Sequence, residues 1–364
     1  MRSRARGCID SPIWIIAEAP SEMDIKKGYI HTDGIGYVLD KMLQDAELPS
    51  DCFIYPFVET LDLVQDLELR KNTLITLLEI KHPSLLVTLG PKVTGLLVPE
   101  TKSKSKPFEC KLNSYSGSLL SSPFLSYSHY CIPTYTPNFI CTNWSFRDIT
   151  VSIDFGHVRE EYEYWLLNKK LNPLPARKLI VEPSFEELIN FLGAINSTNY
   201  ISVDIETIRP VKASQIEVRH GYCYCISIAT SPWEAISFSI WDYTTIQLVK
   251  IWQLLDKILR EVPQIGQNYF SFDAHYLETL GFRPCLEKCQ DTLIRHHILW
   301  PELEHKLQFQ TRQYTRQPFY KDEGKGWSPK YKKALMRYNA LDTTITYEIF
   351  LAQDKEFQER PHLI

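Results

Sequence analysis

YISVDIET, residues 200–207, is the stretch on which the second half of this 364-residue chain turns. Its β-branched and aromatic residues favour a strand, and the strand period of two sends Asp204 and Glu206 to one face and Val203 and Ile205 to the other. Two carboxylates on one face repel each other. A hard divalent cation, which takes oxygen ligands, would turn that repulsion into a binding site. Taken alone, the pair is also compatible with a solvated strand end.

Just upstream, PSFEELINFLGAI opens a helix with a capping box, Ser184 with Glu187. Downstream, YCYCISIAT and AISFSI read as two further strands separated by turn residues. Helices then dominate, expected over 244–260, 272–280, 291–299, 307–314 and 329–354. Two more polar elements lie among them. GQNYFSFD, residues 266–273, is a strand end followed by Asp273 in the first turn of a helix, where the helix dipole favours a carboxylate. Asn268 faces the same end of the sheet, and for Asp273 a plain N-cap role is the alternative. RYNALDTTITYEIF, from residue 337, sets Tyr338 and Asp342 four apart on one helical face, an arrangement a surface pair would share. Asp291 reads as the N-cap of the 292–299 helix rather than as a ligand.

Taken in order, D-x-E on a strand, N-x4-D at a strand-to-helix turn and Y-x3-D on a late helix resemble the three motifs of the DEDD superfamily of exonucleases. Within its tyrosine branch the likeness is to the proofreading domain of family A DNA polymerases, especially viral ones, over about residues 176–355. DTLIRHHILWPELEHKLQF, from residue 291, resembles the stretch those domains carry between the second and third motifs. In the histidine variant a His stands five residues before the last Asp. Here that position is Arg337 and the next is Tyr338, so the tyrosine branch is preferred over a base drawn from His275, His296, His297 or His305. The resemblance implies a ribonuclease H-like α/β domain that removes nucleotides from DNA 3′ ends with two Mg²⁺ or Mn²⁺ ions. Asp204 would bridge the ions, Glu206 and Asp342 would complete the one holding the attacking water, Asp273 would support the other through water, and Tyr338 would orient the nucleophile. Two ions about 4 Å apart suit phosphodiester hydrolysis because they stabilise both the incoming hydroxide and the departing oxygen.

Residues 312–333, RQYTRQPFYKDEGKGWSPKYKK, interleave cations with rings, the pattern of single-strand binding. Arg312, Arg316, Tyr320, Lys321 and Lys325 are the substrate contacts expected there, with Asn268 and Phe270 at the second motif. The expected partners are single-stranded DNA or a frayed 3′ end, with a polymerase or another replication protein beside it. A noncatalytic docking module is the alternative.

The whole chain allows this. It is 44% hydrophobic and 23% charged, a globular composition, and its length suits two domains. A net charge of −4 speaks against a surface that grips nucleic acid everywhere, but not against a local basic stripe. The nine cysteines form no CxxC pair, so reduced intracellular thiols are expected, with Cys285 and Cys289 near His296 and His297 as a conceivable metal knot. No segment reads as a signal or membrane span, so a soluble protein of the cell interior is expected, in a host's cytoplasm if viral. No stretch resembles the palm motifs of family A polymerases.

The first half alternates strands and helices, an α/β sandwich with a mostly parallel sheet. AEAPSEMDIKKGYIHTDGIGYVLDKML (from residue 17), LLEIKHPSLLVTLGPKVTGLLV (from 77) and IPTYTPNFI (from 132) resemble the uracil-DNA glycosylase superfamily. Thr136 stands where that family has a histidine, an expected asparagine is replaced near Pro56, and the iron–sulfur cysteines of some relatives are missing, although Glu18 is present. A glycosylase-like domain without that activity is therefore expected over 1–168, with an active uracil-DNA glycosylase there as the alternative. A Pro- and Asn-rich linker follows over 169–177 and the exonuclease domain over 178–364.

Overall fold

The computed structural model describes residues 3–31, 33–59, 67–103, 108–195, 200–208, 222–321 and 331–363. Lys325 lies outside the described residues, as do Trp327 and Lys330. The chain divides into two compact units, Met1–Leu174 and Pro175–Ile364. No helix among the described residues is long and apolar enough to cross a membrane.

The first unit contains β1 (Ile13–Ala17), α1 (Glu22–Lys27), α2 (Gly34–Asp45), β2 (Phe53–Pro56), α3 (Leu67–Lys81), β3 (Leu85–Leu89), α4 (Pro91–Leu97), α5 (Leu112–Tyr115), β4 (Tyr130–Thr134), α6 (Pro137–Thr142), α7 (Phe146–Ile149) and α8 (Phe155–Asn168). Its sheet has the order β2-β1-β3-β4, with every pair parallel. Parallel strands covered on both faces need near-continuous apolar runs, and β1, β3 and β4 are buried at every position. The described residues between β3 and β4 include the short helix α5 and two isolated bridges, Lys102 to Cys110 and Leu120 to Cys131.

The second unit contains β5 (Lys178–Val181), α9 (Phe185–Ala194), β6 (Ile201–Ile208), β7 (Tyr222–Ser231), β8 (Glu234–Ser239), α10 (Thr245–Glu261), β9 (Gln264–Gly266), α11 (Asp273–Thr279), β10 (Gln290–Asp291), α12 (Thr292–Leu299), α13 (Leu307–Tyr314) and α14 (Lys332–Glu359). The sheet order is β10-β9-β6-β7-β8-β5, antiparallel from β6 through β8 and parallel at both flanks. Strand β5 was not expected from the sequence. The Ser184/Glu187 capping box that opens α9 is present as read.

Alternation along the strands sorts the two faces. Val203, Ile205, Ile226 and Ile228 join Leu188, Leu192, Ile251, Leu255 and Leu277 of α9, α10 and α11 in one core. The opposite face receives α14. Ala229 and Ala235 on the strands meet Ala340 on the helix, and such small side chains let the backbones approach closely. A register shift after Glu206 pairs Cys225 with Glu206 but Cys223 with Thr207. The bulge explains why Cys225 packs beneath α14 while Cys223 belongs to the other core.

Candidate active site

The face of β6 that meets α14 carries Asp204 and Glu206, and α14 brings Asp342 to them. One carboxylate oxygen from each of the three lies within 4.8 Å of the other two. Helical spacing places Tyr338 one turn before Asp342, so both point to the same corner.

Asp204, Asp342 and Asp273 are each held by an identifiable partner. Asp204 Oδ2 accepts a hydrogen bond from Asn339 Nδ2 at 2.6 Å, and Asn339 Oδ1 accepts one from Ser237 Oγ at 2.8 Å. Asp342 Oδ1 accepts from the Tyr320 hydroxyl at 2.5 Å. Its Oδ2 is ion-paired with Lys321 Nζ at 2.5 Å, and the same ammonium donates to the Tyr338 hydroxyl at 2.9 Å. Asp273 is buried at the start of α11, and its Oδ1 accepts the backbone N–H of Ile205 at 2.9 Å. It thereby ties α11 to β6 beside Asp204, and it is not one of the three carboxylates that converge on a common point.

The electrostatics follow from crowding acids where water is scarce. Burial first, and then the charges of Asp273, Asp342 and Glu206, raise the Asp204 carboxyl well above the usual carboxylate range, with Lys321 opposing. Glu206 is pushed up to about 7, first by burial and then by Asp342, again against Lys321. Burial also raises Asp273, while the Ile205 N–H works the other way. The Tyr338 hydroxyl is raised by burial and by the surrounding acids, so it stays protonated and able to donate. Such a site needs positive charge. Hard oxygen donors at this spacing suit Mg²⁺ or Mn²⁺, and the ammonium already seated on Asp342 marks where a cation is favoured.

The second motif is organised by Asp291, which caps α12 by accepting the Leu293 N–H at 2.9 Å and also accepts the Asn268 N–H at 3.0 Å. Asn268 has a φ of 59°, a left-handed conformation that asparagine tolerates better than most residues. Glycine is required at 266, the last residue of β9, since a Cβ there would lie 2.5 Å from the Tyr269 ring. Asn268 and Phe270 are exposed at this turn.

The other expected substrate contacts separate. Arg312 and Arg316 are partly buried, Arg312 on α13 with its guanidinium 5.9 Å from the Phe309 ring centre. Tyr320 corrects the expectation of a stacking ring: it is only 4% exposed, and its hydroxyl is committed to Asp342. Lys321 lies among the acids rather than on a solvated face. Asn339 was not singled out from the sequence, although it sits inside YNALD, where a fully buried amide must find partners. Three of the histidines contact one another: His305 Nδ1 is 2.7 Å from His296 Nδ1, and His305 Nε2 is 3.0 Å from His297 Nδ1, and no histidine joins the group of three acids. Cys289 Sγ donates to Gln264 Oε1, and among the described residues no group of cysteines and histidines has metal-binding spacing.

In the first unit, Glu18 Oε2 accepts the Lys92 N–H at 3.3 Å. The Thr136 hydroxyl caps α6 by accepting the Phe139 N–H at 3.2 Å. Both residues line a cleft of about 400 Å³.

Residues 181–357 match the family described as 3′-5′ exonuclease, and the second unit carries an exonuclease domain of the DEDD type, a class that uses divalent metals. No curated protein matches the chain. Among solved structures, the chain is similar to the catalytic core of RRP6 from Trypanosoma brucei, with 13% identity and a TM-score of 0.40 over 53% of this chain and 52% of that one. It is also similar to the Aedes aegypti Nibbler EXO domain, with 14% identity and a TM-score of 0.39 over 52% of this chain and 93% of that one. A third similarity is to the POL domain of Pol1 from M. smegmatis in complex with DNA primer-template and dNTP, with 12% identity and a TM-score of 0.38 over 50% and 28%. The chain thus spans about half the length of the RRP6 core and less of the Pol1 chain.

Proposed function

We propose that this chain removes nucleotides one at a time from the 3′ end of single-stranded or frayed DNA, as a proofreading activity within or beside a family A DNA polymerase. The observation that carries the reading is the convergence of Asp204, Glu206 and Asp342 within 4.8 Å, with Tyr338 at the same corner. DNA as the substrate, and the polymerase connection, rest on the likeness of ISVDIET, GQNYFSFD and YNALD to the proofreading motifs.

In this reading Asp204, Glu206 and Asp342 would hold the divalent ions. Asp273 would support a neighbouring ion and, by its bond to the Ile205 N–H, fixes the strand that carries the first two acids. When bound, the ions supply a water acidified enough to attack phosphorus and charge to stabilise the departing 3′ oxygen. Asn339 holds the Asp204 carboxylate in one orientation. The Tyr338 hydroxyl, protonated at neutral pH, donates to the attacking water and fixes its line of approach. Phe270 and Asn268, exposed at the second-motif turn, contact the terminal nucleotides, with Arg312, Arg316 and Lys325 along the strand. The first unit serves as a noncatalytic surface for DNA or a replication protein.

The test is digestion of a 5′-labelled oligodeoxynucleotide with Mg²⁺, beside the same strand blocked by a 3′-phosphate and beside an RNA of the same sequence. A ladder shortening from the free 3′ end of DNA is expected. Internal cuts, or equal digestion of the blocked strand, would overturn the exonuclease reading, and preference for RNA would overturn the substrate.

A further inference from the structure

Resting on the exonuclease reading, we propose that Lys321 is a tethered counter-ion that competes with metal for Asp342 and yields when a substrate phosphate arrives, coupling metal occupancy to substrate binding. Three carboxylates in a partly desolvated corner need a compensating charge, and among the described residues Lys321 is the one cation paired with them. Its side chain is 16% exposed and that of Asp342 7%, so the pair is not the solvated kind that exchanges freely with water.

The contacts and the charges make the two cations competitors for Asp342. Asp342 Oδ1 takes the Tyr320 hydroxyl and Oδ2 takes the ammonium, so both oxygens are engaged. The ammonium also donates to Tyr338 and lies 4.8 Å from the centre of the Tyr338 ring and 5.2 Å from that of Tyr320. A divalent ion coordinated through Asp342 Oδ2 would lie beside the Lys321 ammonium, and repulsion between the two cations drives Lys321 off that oxygen, which also frees the Tyr338 hydroxyl. A displaced ammonium in this pocket needs a new anionic acceptor. A phosphodiester oxygen entering beside the acids provides one, whereas buffer leaves the ammonium to return to Asp342. Metal should therefore bind weakly to the free protein and more tightly once a 3′ end is in place. Binding affinities are reciprocal, so metal should tighten the DNA by the same factor.

The experiment measures binding rather than turnover. Mn²⁺ is titrated into the full-length protein and followed by loss of the free-ion EPR signal, with and without a short oligodeoxynucleotide ending in non-hydrolysable phosphorothioate linkages. In the wild type the oligonucleotide should tighten Mn²⁺ by about tenfold or more. Lys321→Met should bind Mn²⁺ about tenfold more tightly than the wild type without DNA, and DNA should add little further. Lys321→Arg, which keeps the charge, should retain the coupling. Equal Mn²⁺ affinity with and without DNA in the wild type overturns the proposal even if neither variant folds. So does a folded Lys321→Met that binds no tighter than the wild type. If instead Mn²⁺ binds neither the wild type nor its DNA complex, the metal-dependent exonuclease reading itself has failed.

Discussion

Replacing Glu206 with glutamine should make the metal-free second unit more stable and the metal-loaded one relatively less so. The ordinary glutamate value is 4.5, and in the folded chain Glu206 is raised to about 7, first by burial and then by Asp342. A carboxylate raised on folding binds its proton more tightly when native, so its contribution is greatest below about 4.5 and is lost as pH rises through about 7. At pH 8 the full shift corresponds to a penalty of about 3 kcal/mol. Solvent access and titration together with the neighbouring acids reduce this to about 1–3 kcal/mol. Glutamine keeps the shape without the charge, so Glu206→Gln should gain that amount at pH 8 and about a quarter of it at pH 5. For a unit of this size each kcal/mol moves the transition by about 2–4 °C, a shift scanning calorimetry in EDTA resolves readily. Adding Mg²⁺ at pH 8 should then stabilise the wild type more than the variant, narrowing or reversing the difference. The reasoning is refuted if Glu206→Gln melts at or below the wild type in EDTA at pH 8, or if its advantage is as large at pH 5.

Asn339→Ala leaves the Ser237 hydroxyl without its acceptor and releases Asp204; it should cost about 1–3 kcal/mol in denaturant unfolding and raise the half-saturating Mg²⁺ by about tenfold. Unchanged metal dependence would show that Asn339 does not hold a ligand. Tyr338→Phe should slow single-turnover hydrolysis by about 100-fold with little change in Mn²⁺ affinity, as expected if the hydroxyl orients a water rather than binding metal. A normal rate would remove Tyr338 from the chemistry.

What could be read from the sequence was local. The alternation that sends Asp204 and Glu206 to one face of β6 and the Ser184 capping box of α9 depend only on near neighbours, as does the one-turn spacing of Tyr338 and Asp342. The partners of the acids depend on chain crossings. Tyr320 and Lys321 resemble any cation and ring in a basic stretch until α14 sets Asp342 and Tyr338 against them, so their composition suggested substrate contact. Asn339 was legible in principle, being a poor helix former with buried neighbours, but its two partners lie on separate strands. Strand β5 escaped because KLIV, just after a proline-rich stretch, shows no alternation of its own; its pairing with β8 is what makes it a strand.

The three-acid site is tested by digestion of a 5′-labelled single strand by the wild type, Asp204→Ala and Asp342→Ala in Mg²⁺, with folding of each verified by circular dichroism. The three-carboxylate site predicts a shortening ladder from the wild type and none from either folded variant. Digestion by the alanine variants at the wild-type rate would contradict it.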